Sequence, residues 1–344
     1  MEKRNVYDFT LEELQEDIAG INEPQYRARQ LFSWLYKKGA GSFNEMSNLP
    51  EGFKDKLNQN YCMAGLELSE RLKSNDGTEK FLFKLRDGNY IETVLIRARN
   101  RKTVCLSTQV GCRFACLFCA SGLKGFIRDL APSEIIGQIL FLRHNLKHKI
   151  TNYVFMGMGE PMDNYENTAK AVLIMNDPEG LDIGARRITI STCGIVPGIE
   201  KLKDLGLQVN LSLSLHAANN KLRDKLMPVN KRYPIEEVVK ACEDFASWSG
   251  RVITLEYVLM RGINDFPENA DELSAIARRM NAKVNLIPYS RNVRFKQEPP
   301  QKEDAKIFLE RLVRNRIRAT LRESKGEDIA AACGQLAGRK RDEI

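Results

Sequence analysis

The sequence predicts an α/β protein: an open, partial (β/α)6 barrel preceded by a small N-terminal helical domain and a β-hairpin extension. Three observations carry this. From residue 103 onward, six short β-rich runs alternate with longer stretches of helical periodicity. Between residues 80 and 96, apolar and polar residues alternate about an Asp-Gly turn. Residues 9–60 place apolar side chains at helical spacing behind capping signals.

In the N-terminal segment Thr10 and Glu13 form a capping box, and Leu11, Leu14 and Ile18 follow on one face. Pro24 opens a second helix with Ala28, Leu31, Phe32, Leu35 and Tyr36, and a third covers 51–57. Arg27, Arg29, Lys37 and Lys38 with Trp34 and Tyr36 read either as ordinary core and solvated surface or as a basic, aromatic face for RNA backbone.

The hairpin runs from Lys80 through the turn Arg86-Asp-Gly88-Asn89 to Ile96. Glu92 lies inside its second strand, and alternation alone favours a plain solvent-facing carboxylate. Strands at 103–108, 152–156, 187–192, 208–215, 252–259 and 283–288 then alternate with helices centred near Ile139, Val172, Ile199, Val239, Ile276 and Leu309. Such alternation implies a parallel sheet with right-handed crossovers, with 318–322 as a possible extension. The boundaries expected are 1–75 for the helical domain, 76–100 for the hairpin and 101–344 for the barrel with a C-terminal loop.

Composition is that of a globular chain, 43% hydrophobic and 28% charged, without an apolar run of bilayer length or a secretory leader. A cytoplasmic location follows, and there eight cysteines read as metal-binding or catalytic before disulfides. The net charge of +8 suits a polyanionic partner, or a solvated surface.

Working residues of parallel folds sit at the C-terminal strand ends. There the chain has Cys112-Arg-Phe-Ala-Cys116-Leu-Phe-Cys119, Gly157-Met-Gly159-Glu160-Pro161, Ser191, the run Ser214-Leu215-His216, and the stretch from Pro288 to Asn292. Three thiols spaced x3 and x2 can hold a cubane iron-sulfur cluster with one iron open, whereas a structural zinc site takes four ligands. A zinc knuckle with a distant fourth ligand, or merely packed thiols, would be written similarly. The glycine run lacks the third glycine of a dinucleotide loop and could be a plain turn. Cys105 leads into the triplet, and Cys333 lies among small residues suited to a moving loop; either could be an inert thiol, as Cys62, Cys193 and Cys242 are read.

The triplet, with Phe118 before its last Cys, resembles the signature of the radical S-adenosylmethionine (SAM) superfamily. The match extends further, over 25–36, 91–96, 107–112, 157–161, 187–192, 214–217, 226–230 and 332–338. Along nearly its whole length the chain resembles the adenine-C2 RNA methyltransferases of the RlmN family.

That resemblance implies a [4Fe-4S] cluster on Cys112, Cys116 and Cys119, and SAM held by Gly159, Glu160, Ser191, Ser214, Leu215, His216 and Asn292. Asn292 is the weaker match, since Ser290 occupies the position of the family's usual Pro-x-Asn. It implies that Cys333 takes a methyl from one SAM and that a second SAM, cleaved at the reduced cluster, turns that methyl into a radical that adds to C2. Cys105 then releases the product, leaving a transient Cys105–Cys333 disulfide, and Glu92 matches the carboxylate proposed as the family's proton acceptor, with Cys105 as the other candidate for that proton. The implied substrates are 23S rRNA and an adenosine beside the tRNA anticodon; a flavodoxin-type donor supplies electrons to a monomer. The rivals are a sister enzyme acting on adenine C8 and a non-catalytic, zinc-stabilised RNA-binding protein.

Overall fold

A computed structural model describes residues 3–123, 125–292 and 295–338. One ten-stranded sheet organises it. Its strands are β1 (Glu67–Lys73), β2 (Glu79–Lys84), β3 (Tyr90–Ala98), β4 (Arg101–Cys105), β5 (Asn152–Phe155), β6 (Ile188–Thr192), β7 (Asn210–Ser214), β8 (Thr254–Leu259), β9 (Lys283–Pro288) and β10 (Ala319–Leu321). Order across the sheet follows order along the chain, antiparallel from β1 to β4 and parallel from β4 to β10. The six expected units are present, and 318–322 does supply a seventh parallel strand. β8 is buried at every position, as a parallel strand covered on both faces should be.

Three expectations are corrected. The antiparallel part is a three-stranded extension of the barrel sheet, and it starts at Glu67, inside the span expected to belong to the helical domain. The first parallel strand ends at Cys105 instead of Thr108, because Gln138 draws the backbone of Ser107 out of the ladder: its Oε1 accepts from the Ser107 N–H at 2.9 Å, and its Nε2 donates to the Ser107 carbonyl at 2.9 Å. Glu92 is not solvent-facing but 1% exposed, since β3 lies within the sheet and other chain covers it.

The N-terminal helices are α1 (Leu11–Gly20), α2 (Tyr26–Ser33) and α3 (Glu51–Asn60). The capping box on α1 is formed, with Thr10 Oγ1 accepting from the Glu13 N–H and Glu13 Oε2 from the Thr10 N–H. A π turn, Trp34–Lys38, extends α2 until Gly39, whose φ of +68° ends it. Tyr36 is core, edge-on to Phe32 at 4.5 Å, so the aromatic part of the basic face is left to exposed Tyr26 under Arg27 and half-buried Trp34 under Lys38, with Arg29 and Lys37 exposed beside them.

The barrel helices are α4 (Pro132–Leu140), α5 (Tyr165–Asn176), α6 (Val196–Lys201), α7 (Asn220–Leu226), α8 (Ile235–Ser249), α9 (Pro267–Arg279) and α10 (Lys302–Arg314). After β10 the chain returns across the sheet as a strap over residues 326–338. The Gly326 N–H donates to Asp76 Oδ2 at 2.9 Å, the Asn75 N–H to Asp328 Oδ2 at 3.2 Å, and Lys80 Nζ to the Ala330 carbonyl at 3.2 Å. The strap thus ties the β10 end of the sheet to β2 and the turn before it.

Candidate active site

The triplet is the tip of a small ribbon, Gln109–Gly111 paired antiparallel with Phe126–Asp129. Gly111, at φ +75°, passes so close to the Gly125 carbonyl that a Cβ would collide with it. Between these strands the Cys112 N–H donates to the Gly125 carbonyl at 3.0 Å and the Leu117 N–H to the Leu226 carbonyl of α7 at 2.9 Å. Ala115 turns the loop with φ +49°.

One cavity at the C-terminal strand ends is lined by Cys112, Cys116 and Cys119 together with Gly159, Glu160, Ser191, Ser214, His216 and Cys333. Burial pushes the Cys112 thiol up to about 12 and Cys116 well above its ordinary value, so a positive centre is required for both to be thiolates. Among the described residues no three His, Cys, Asp or Glu side chains gather as for a single ion. The three triplet thiols line one cavity, and three thiolates leave one corner of a cubane cluster open, whereas a closed tetrahedral site takes four ligands.

Glu160 is 5% exposed, and its oxygens accept from the Cys193 N–H at 2.7 Å and the Met162 N–H at 3.0 Å. Burial raises its pKa against those hydrogen bonds. Gly157 and Gly159 serve a packing need that the motif did not disclose: a Cβ on Gly159 would lie 2.5 Å from that of Gln109, and one on Gly157 would lie 2.6 Å from Ser107 Oγ.

Ser191 and Ser214 oppose each other, Oγ to Oγ 3.4 Å. His216, at φ +56°, accepts the Val258 N–H on Nδ1 at 3.0 Å, which leaves the proton on Nε2. Burial pushes its pKa down to about 3, so the ring is neutral. Leu215 has its side chain in the core, and its backbone is engaged by Glu256 and Arg223. Asn292 stands behind the wall, its Nδ2 donating to the Phe118 carbonyl at 2.7 Å and the Gly334 carbonyl at 3.3 Å. Ser290 is buried against Ser324.

Glu92, Cys105 and the strap meet beside this cavity. Glu92 Oε2 accepts from the N–H groups of Ala337 and Gly338 at 2.7 and 3.0 Å, and Oε1 pairs with Lys80 at 2.9 Å. Cys105 packs with Val94, Met158, Ala331 and Leu336, and burial pushes its thiol up to about 12. Cys333, the exposed cysteine of the strap, follows directly on that cluster.

Residues 4–63 match the family described as ribosomal RNA large subunit methyltransferase N-terminal domain, and residues 106–273 match the radical SAM superfamily. The chain is 42% identical to the probable dual-specificity RNA methyltransferase RlmN of Clostridium novyi, covering 97% of each protein. It is 41% identical to the dual-specificity RNA methyltransferase RlmN of Syntrophus aciditrophicus, covering 100% of this chain and 99% of that one. The chain belongs to the RlmN family. A crystal structure of a radical SAM methyltransferase from Sphaerobacter thermophilus superposes with a TM-score of 0.92 at 42% identity, over 98% of this chain and 100% of that one.

As a member of the RlmN family the protein is a radical SAM RNA methyltransferase, which sets aside the non-catalytic zinc protein. The superfamily implies a [4Fe-4S] cluster and SAM, and the thiol-lined cavity with Glu160 at its side fits both. No helix among the described residues is long and apolar enough to cross a membrane.

Two buried charges escaped the sequence reading. Arg223 is 0% exposed and donates to the carbonyls of Cys193, Ser214 and Leu215 and to Asn230 Oδ1. Glu256 lines the cavity from β8. A carboxylate inside an otherwise apolar run, Thr254-Leu-Glu256-Tyr-Val-Leu259, was the one available signal for the second.

Proposed function

We propose that the protein methylates C2 of one adenosine in 23S rRNA and of an adenosine beside the tRNA anticodon, with Cys333 as the methyl carrier. The observation that supports this most is the shared cavity, in which the triplet thiols, Glu160, Ser191, Ser214, His216 and Cys333 meet. Cluster and SAM supply the one-electron chemistry that an electron-poor carbon such as C2 requires.

The chain's own groups divide the remaining work. Cys112, Cys116 and Cys119 hold the cluster. Glu160, fixed by two backbone N–H groups, receives the ammonium of SAM, while Ser191, Ser214 and the Nε2–H of His216 donate to its carboxylate and ribose. Gly159 lies in the cavity wall, whereas Leu215 and Asn292 act by holding it in shape. Cys333 is the nucleophile as its thiolate, and Cys105 resolves the product through a transient disulfide.

Glu92 serves as proton acceptor only once the strap lifts, since in the seated strap both its oxygens are engaged. Exposed Tyr26 and Lys38 with half-buried Arg27 and Trp34 suit stacking and backbone contacts to RNA, in a monomer working in the cytoplasm with a flavodoxin-type reductant.

Mass spectrometry of 23S rRNA and tRNA from a strain lacking the gene tests this reading. The expected result is loss of one C2-methyladenosine in each RNA, restored by the wild-type gene and not by Cys333→Ala. Loss of an 8-methyl mark, or no loss, overturns it. In parallel, anaerobically reconstituted protein is expected to bind iron, and Cys112→Ala, Cys116→Ala and Cys119→Ala to lose it while Cys242→Ala keeps it.

A further inference from the structure

Glu256 sits mid-sheet, paired in register with Ser214 on β7 and Asn285 on β9. It is 3% exposed yet lines the cavity. Its two oxygens are treated unequally. Oε1 accepts from Asn285 Nδ2 at 3.1 Å. Oε2 is buried and makes no close hydrogen bond among the described residues; the Ser212 hydroxyl lies near the carboxylate, and Arg322 Nη1 stands off at 4.0 Å.

A buried carboxylate oxygen without a donor is costly, so such a group is normally satisfied by whatever fills the site. Burial already raises the pKa of this carboxyl, the direction expected when its hydrogen bonding is incomplete. An O–H or N–H of the occupant would complete the hydrogen bonding of this oxygen.

The layout of the cavity narrows the choice. The triplet thiols and Glu160 form the end that takes the amino-acid portion of SAM, and the facing hydroxyls of Ser191 and Ser214 stand next to it. Glu256 is the cross-strand neighbour of Ser214, one strand further along the wall. The portion of SAM that follows its amino-acid part is the sulfonium, which has no hydrogen to donate, and then the ribose, whose vicinal hydroxyls are a recognised partner of a single acidic side chain.

We propose that Glu256 binds the ribose hydroxyls of SAM through Oε2, and so positions the nucleoside between the cluster and Cys333. This inference rests on the reading that the cavity holds SAM. It makes Glu256 a cofactor-binding residue on β8, beside the set that resemblance supplies.

Anaerobic binding measurements on reconstituted protein test it, with SAM, its 2′-deoxy and 3′-deoxy analogues, and an analogue whose adenine amino group is replaced by hydrogen. The wild type is expected to bind at least one deoxy analogue about 10-fold or more weakly than SAM, the size of one hydrogen bond to a charged group. Glu256→Gln is expected to shrink that preference and Glu256→Ala to abolish it, with iron content unchanged. Equal binding of SAM and both deoxy analogues by the wild type overturns the proposal, even if Glu256→Ala does not fold. So does a preference that survives in Glu256→Ala, or one lost only toward the analogue without the amino group. Failure of the wild type to bind SAM at all would instead overturn the parent reading.

Discussion

Lys80 Nζ lies 2.9 Å from Glu92 Oε1, both side chains are almost wholly buried, and each holds the strap that carries Cys333. Removing one partner of such a pair strands the other's charge in a dry site, which typically costs about 3–5 kcal/mol. Lys80→Met is therefore expected to lower the unfolding free energy by about that amount, and Glu92→Gln by less, because an amide oxygen can still accept from Ala337 and Gly338. Hydrogen exchange of residues 330–338, followed by mass spectrometry, should speed up in both variants before the barrel strands are affected.

A second expectation concerns the ribbon under the triplet. Gly111 combines φ +75° with a contact to the Gly125 carbonyl that leaves no room for a side chain. Gly111→Ala should cost about 2–3 kcal/mol and splay the ribbon. Thermal melting would report the loss, and iron bound per chain after reconstitution should fall, whereas Gly88→Ala, at an open turn, should retain iron.

The neutral His216 gives a pH signature. Its folded pKa is pushed down to about 3, against about 6.5 when exposed. Between those values the unfolded chain binds the proton and the folded one does not, so stability falls as pH falls below about 6.5. The slope this histidine adds approaches about 1.4 kcal/mol per pH unit. His216→Asn, which keeps an acceptor for the Val258 N–H, should remove that component. Denaturant melts between pH 7 and 5.5 would measure it, and an unchanged slope would contradict the assignment.

Asn292 joins the triplet loop to the strap through the carbonyls of Phe118 and Gly334. Asn292→Ala should destabilise by about 1–2 kcal/mol and expose Cys333 to faster alkylation. Asn292→Ser should do the same, because a hydroxyl is too short to span both carbonyls. Alkylation rates at Cys333 no faster than wild type would show that the bridge is dispensable.

Much of this was legible because parallel strands buried on both faces read as apolar runs, and because C-x3-C-x2-C has few other uses. β1 was missed since its half-exposed, charge-bearing residues, Glu67 to Lys73, look like loop. Glu92 was misread because alternation identifies a face without saying what lies over it; the covering strap comes from about 245 residues further along. Glu256 and Arg223 sit within ordinary strand and helix patterns, and only the three-dimensional neighbourhood shows one lining the cavity with an oxygen that makes no close hydrogen bond among the described residues, and the other donating to backbone carbonyls and an amide.

The strap also has a bearing on the order in which the molecule assembles. Neighbouring strands of the sheet are neighbours along the chain, so the sheet can grow stepwise through modest loop closures. Lys80 to Ala330 and Glu92 to Ala337 close separations of 250 and 245 residues. Contacts so distant in sequence gain little until both sides of the seat exist, and they consolidate late. Cys333 thus reaches its place only after the chamber has formed around its other walls.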